Sequence, residues 1–82
     1  LETLKKKKDF DEVFQNGKSI ASKYLVFYWN PNNKDNNRYG FSISKRIGKA
    51  VVRNKLKRRL KEIIRTDIES NYSTGYDIII IA

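Results

Sequence analysis

Apolar residues return at two different spacings along this chain of 82 residues. Phe10, Val13 and Phe14 stand at i, i+3 and i+4, which predicts a short amphipathic helix over roughly Lys7 to Asn16. Asn16-Gly17 is the expected stop, since glycine accepts the left-handed conformation that ends many helices. The spacing then falls to two. "KSIASKYLVFYWN" is rich in β-branched and aromatic residues and predicts strands near Ser19–Ala21 and Tyr24–Asn30. "RYGFSIS" alternates, with Tyr39, Phe41 and Ile43 on one face and Gly40, Ser42 and Ser44 on the other. Between these runs "NPNNKDNN" is turn chemistry, expected at the exposed tip of an antiparallel hairpin. "KRIG" breaks the alternation. Val52, Leu56, Leu60, Ile63 and Ile64 then predict a second helix from about Lys49 to Ser70. After a turn in "NYSTG", "YDIIIIA" is apolar on both faces, as in a strand buried in a sheet interior.

Strand parity adds to this. In "YLVFYW", Leu25, Phe27 and Trp29 share one face while Tyr24, Val26 and Tyr28 share the other. Both faces are apolar, so each needs a cover. The Val52/Leu56/Leu60/Ile63/Ile64 stripe is expected on one, and the first helix, through Phe10 and Phe14, on the other. The order α-β-β-β-α-β predicts an α+β sandwich of helices on one sheet, a single domain over residues 1–82. The chain does not begin with Met and stops on an apolar run, as expected of a trimmed end.

The net charge of +9 is not spread evenly: ten Lys/Arg and one acidic residue, Glu62, fall between Lys45 and Arg65, and the remainder is neutral. Charge so focused draws polyanions, with nucleic acid the first candidate and an anionic membrane the second. There is no Cys and no His. A Cys/His zinc site, thiol catalysis, a disulfide framework and a Ser-His-Asp triad are therefore excluded. No apolar run approaches the roughly 20 residues of a membrane span and nothing resembles a signal peptide, so the cytoplasm is the expected location.

On the predicted basic helix Arg53, Asn54, Lys57, Arg58, Lys61 and Arg65 fall on an arc beside the apolar stripe, and Lys55 and Arg59 continue it. Arg offers phosphate oxygens a planar fork and Lys a mobile point charge. A solvated face would mix signs, because like charges at i, i+4 destabilise a helix. A polyanion site is favoured. "FQNGKS" ends like a phosphate loop, but Glu12 stands where that motif needs its first glycine, and a helix precedes it instead of a strand. Asp9, Asp11 and Glu12 are read as balancing Lys5–Lys8 and not as a Mg²⁺ site. Phe10, Phe14, Val26 and Tyr28 are either packing between helix and sheet or a platform for unpaired bases; composition alone favours packing.

"GFSISKRIGKAVVRNKLKRRLKEI" resembles the ribonuclease P protein family. Ser42-Ile43-Ser44-Lys45-Arg46, Gly48-Lys49-Ala50-Val51 and Arg53-Asn54-Lys55 stand in the order of its hallmarks, with Lys55 in place of an Arg. "DFDEVFQNGKSIASKYLVFY" and "DIIIIA" extend the resemblance over nearly the whole chain. It implies a fold like the second domain of ribosomal protein S5 with a left-handed β-α-β crossover, against the general rule. It also implies a further C-terminal helix, which this chain lacks. The implied function is that of the protein subunit of ribonuclease P, assisting a catalytic RNA in removing the 5′ leader of precursor tRNA. The implied contacts with that RNA are Lys45, Arg46, Lys49, Arg53, Asn54, Lys57, Arg58 and Lys61. Those with the single-stranded leader are Phe10, Phe14, Val26 and Tyr28, which reverses the compositional reading of the aromatics. No catalytic or metal-binding residue is expected in the chain itself; Mg²⁺ belongs to the RNA, and neither membrane nor small-molecule substrate is expected. The rival readings are a ribosomal or translation-factor-like RNA-binding domain, an independent nuclease and a membrane-surface helix.

Overall fold

The computed structural model describes residues 1–69 and 74–82. Its elements are β1 (Glu2–Thr3), α1 (Lys7–Asn16), β2 (Lys18–Ala21), β3 (Val26–Pro31), β4 (Arg38–Ser42), a 3-10 turn (Lys45–Ile47), α2 (Ala50–Ile63) with a π-helical extension (Ile64–Ile68), and β5 (Tyr76–Ile81). The strands form one sheet in the order β1-β4-β5-β3-β2. β4 runs parallel to β5 and to β1, while β3 is antiparallel to both β5 and β2.

The predicted α+β sandwich is present, with α1 where the periodicity puts it. The antiparallel hairpin is not: β5 lies between β3 and β4. The polar loop joining them therefore spans an intervening strand, a gap of roughly 10 Å at the usual strand spacing. It is pinned as it crosses, by Asn32 N–H donating to Gly75 C=O at 2.9 Å and Tyr76 N–H donating to Asn37 Oδ1 at 2.8 Å. Strand β1 has no sequence signal of its own; two residues are too few for alternation to register. The end of the second helix at Ser70 and most of the "NYSTG" turn lie outside the described residues.

Each sheet face has its own core. Tyr39, Leu60, Ile64 and Ile80 are buried together on the α2 side, with Leu25, Phe27, Phe41, Leu56, Ile68 and Ile78 packed around them. Leu4, Val13 and Ile79 are buried on the α1 side, with Phe10, Tyr28 and Ile81 around them. The buried row of the second helix is thus Leu56, Leu60, Ile64 and Ile68, at four-residue spacing. Val52 and Ile63, assigned to the stripe from sequence, are about half exposed at 48% and 51%. The i, i+4 row carries the contact because the helix continues into Ile64–Ile68. Thr66 Oγ1 bonds back to Glu62 C=O at 3.0 Å there, a contact that loosens a helical turn.

Gly17 also differs from expectation. Its φ of −82° is not left-handed. What requires glycine is space: a Cβ would stand 2.5 Å from Val13 C=O oxygen and 2.7 Å from Trp29 C=O oxygen. The end of α1 is thereby held directly on β3.

Candidate nucleic-acid interface

The basic surface begins where β4 ends. Ser44 N–H donates to Ala82 C=O at 2.9 Å, and Ser44 Oγ accepts from Arg46 N–H at 3.1 Å, fixing the 3-10 turn against the end of β5. Gly48, at φ 149°, makes the reversal into α2 that a side chain would strain. Lys45, Arg46 and Lys49 are exposed on this approach, and Asn54 and Arg58 on the helix itself. The first turn of α2 holds no acidic residue, so the positive helix end is uncompensated.

Arg53, Lys57 and Lys61 form a half-buried ridge at i, i+4, i+8. Lys57 Nζ and Lys61 Nζ each sit 5.9 Å from the Phe41 ring centre, close enough for cation–π attraction to restrain both chains. Arg53 Nε is buried without a hydrogen-bond partner among the described residues. Glu62 pairs with Arg65 at 3.1 Å, and among the described residues no carboxylate forms an ion pair with Arg53, Lys57 or Lys61.

Across the sheet, Phe10, Phe14 and Tyr28 meet where α1 crosses β3. Phe14 and Tyr28 make an edge-to-face contact at 4.9 Å and 84°, and the Phe10 and Phe14 centroids are 6.5 Å apart. Val13 is fully buried and supplies the packing contact, while Phe14 remains 41% exposed. Phe10 and Tyr28 are half-buried beside that core. Val26 lies on the same face of β3 as Tyr28, two residues earlier, opposite Ile81. The four residues therefore share the α1 side of the sheet, where the angle between α1 and β3, here termed the groove, leaves the Phe14 ring exposed and Tyr28 half-buried. The groove and the basic ridge occupy opposite faces of the sheet.

The polar network behind the groove is not singled out by the sequence pattern. Arg38, projecting from β4 toward α1, donates from Nε and Nη2 to the two Asp77 oxygens at 2.8 and 2.6 Å, and its Nη1 is 3.7 Å from Asp9 of α1. Asn32 Nδ2 donates to Asp77 Oδ1 at 2.9 Å. Burial pushes the Asp77 carboxyl up, but the bonds from Arg38 and Asn32 outweigh it and hold the group below the usual carboxylate range. The Asp77 bonds raise the Arg38 guanidinium in turn, against its burial. Burial raises the Tyr39 phenol, opposed by the 3.1 Å bond that Asn37 Nδ2 donates to its oxygen. The available signal is Asp77 itself, a lone carboxylate within an apolar strand, which requires a partner.

Of the three acidic residues of α1, Asp11 pairs with Lys7 at 3.1 Å, Asp9 faces Arg38 of β4 and not the Lys5–Lys8 run, and Glu12 makes no ion pair among the described residues. Among the described residues no group of three or more His, Cys, Asp or Glu is placed to hold a metal ion, and no helix is long and apolar enough to cross a membrane.

The family model described as Ribonuclease P matches residues 1–82. The ribonuclease P protein component of Clostridioides difficile (strain 630) is 48% identical over 79 residues, covering 96% of this chain and 69% of that protein. That of Caldanaerobacter subterraneus subsp. tengcongensis is 46% identical over 82 residues, covering 100% of this chain and 70% of that protein. Among solved structures, the Staphylococcus aureus RNase P protein superposes with a TM-score of 0.89 at 36% identity, covering 100% of this chain and 74% of that one.

Proposed function

This chain belongs to the ribonuclease P protein family, and on that premise we propose how its two surfaces divide the work. It is a protein subunit of the ribonucleoprotein endoribonuclease that matures tRNA 5′ ends, and its partner is the ribonuclease P RNA. In our reading Lys45, Arg46, Lys49, Arg53, Asn54, Lys57, Arg58 and Lys61 contact phosphates of that RNA. Phe10, Phe14, Val26 and Tyr28 take the single-stranded 5′ leader of precursor tRNA. Residues 1–82 act as one RNA-binding domain, and the enzyme works in the cytoplasm.

The observation that carries this reading is the exposed Phe14 ring held edge-on against Tyr28. A ring kept 41% exposed while Val13 beside it is fully buried is poorly explained by packing. It suits stacking on an unpaired base, worth about 1–3 kcal/mol per base. A structured-RNA binder with no role in cleavage would need only the ridge.

On this reading Mg²⁺ bound by the RNA supplies the chemistry. The chain's own residues bind and orient: cations of the ridge screen phosphate repulsion as RNA and substrate come together, and the groove holds the leader extended. The test is reconstitution of the full-length protein with a ribonuclease P RNA. The protein should lower the Mg²⁺ concentration needed to cleave precursor tRNA, and protein alone should cleave nothing. Cleavage by protein alone, or an unchanged Mg²⁺ requirement, would reject the assignment.

A further inference from the structure

Tyr39 and Phe41 stand two residues apart on β4, on the α2 face of the sheet, yet their surroundings differ. Tyr39 is fully buried in the cluster that holds Leu60 and Ile64. Phe41 is half-buried at the margin of that cluster, and β1, which pairs with Arg38 and Tyr39, stops short of it. Two cations reach its ring from α2: Lys57 Nζ and Lys61 Nζ, each 5.9 Å from the ring centre. Both lysines are half-buried, as when an aliphatic stem lies along apolar surface and the ammonium stays at its edge.

Lys57 and Lys61 are one helical turn apart, with Arg53 one turn before them, so the three like charges repel along the helix. Long, flexible side chains in that situation would sample many rotamers, and the lost freedom would weigh against binding a polyanion. The electron-rich face of one ring gives both ammoniums a common seat. A carboxylate would also hold them but would cancel their charge. A ring restrains them and leaves the charge for another partner. We propose that Phe41 is a positioning residue for assembly with the ribonuclease P RNA: it presets Lys57 and Lys61 in the arrangement that backbone phosphates meet. Phe41 acts through the two lysines and not by touching RNA. This rests on the reading that those lysines contact that RNA.

The experiment measures affinity of the full-length protein for ribonuclease P RNA, beside its urea midpoint. Pentafluorophenylalanine in place of Phe41 keeps the shape of the ring and reverses the polarity of its face. Affinity should then fall on the order of fivefold while the urea midpoint stays close to that of the wild type. Phe41→Tyr, which keeps an electron-rich face, should retain most of the affinity. In a Lys57→Met/Lys61→Met background the fluorinated ring should cost nothing further, because the groups it acts through are gone. The same cycle run with Phe41→Leu decides the matter if the fluorinated chain folds poorly. Affinity unchanged by the fluorinated ring, or an equal loss in the Met background, overturns the proposal and leaves Phe41 a packing residue. Failure of the lysine reading shows separately, as Lys57→Met/Lys61→Met leaving both affinity and its salt slope unchanged.

Discussion

Gly40 of β4 lies beneath the ring of Phe10: a Cβ there would stand 2.7 Å from both Cε1 and Cζ. Leu4 Cδ1 closes the same space at 3.4 Å. The aromatic that begins the groove is thus seated on a bare stretch of strand, and α1 can come no closer than that seat allows. Gly40→Ala should push the Phe10 ring outward and cost about 1–3 kcal/mol, the usual range for an overpacked site. Precursor tRNA affinity should fall with it, because the ring lines the groove. Urea unfolding and substrate titration on the same variant check both parts.

Arg38 and Asp77 make the second seat. Their side chains are 18% and 7% exposed, so removing one partner strands a buried charge. Asp77→Leu alone should cost about 3–5 kcal/mol, and the double variant Arg38→Met/Asp77→Leu should be more stable than that single one. Urea midpoints at neutral pH measure both.

The same pair predicts an acid dependence. Asp77 is held below its unfolded value of roughly 3.9, so its contribution is complete above that pH and is lost as pH falls through the lower folded value. Stability of the wild type should therefore drop below about pH 4, and the Arg38→Met/Asp77→Leu variant should show a shallower drop. Parallel pH profiles for the two proteins would reveal it.

On the basic face, affinity for the catalytic RNA should fall steeply with salt, because Lys and Arg displace condensed counterions. Reversing Lys57 and Arg58 to Glu should impair assembly and flatten the log–log salt slope by about 0.7 for each phosphate no longer neutralised. An unchanged slope would remove α2 from the interface.

Local pattern makes much of this legible. The spacing of Phe10, Val13 and Phe14 marks the helix that is observed, and the apolar run of β5 marks a central strand. Strand order is out of reach of such signals. Nothing local distinguishes a polar loop that closes a hairpin from one that crosses over β5, since the deciding bonds join Asn32 and Asn37 to residues about forty positions away. Periodicity places Ile63 in the α2 stripe, yet Leu56, Leu60 and Ile64 share a row that Ile63 only borders. Gly17 reads as a stop for a conformational reason, whereas its contact with β3 is steric. For the groove, periodicity brings Phe10 and Phe14 to one helix side but does not say which is covered. Val13 fills the packing position and leaves Phe14 outside; that depends on where α1 sits on the sheet.

Whether Phe14 and Tyr28 bind leader or belong to the core is decided by the ratio of precursor to mature tRNA affinity in holoenzyme carrying Phe14→Ala, measured beside the variant's stability. Loss of stacking on one base is worth about 1–3 kcal/mol, against about 3–5 kcal/mol of folding stability for truncating a fully buried Phe. For a leader-binding ring the ratio should fall at least severalfold while stability is largely retained. An unchanged ratio accompanied by a large loss of stability would contradict that role and return both rings to the core.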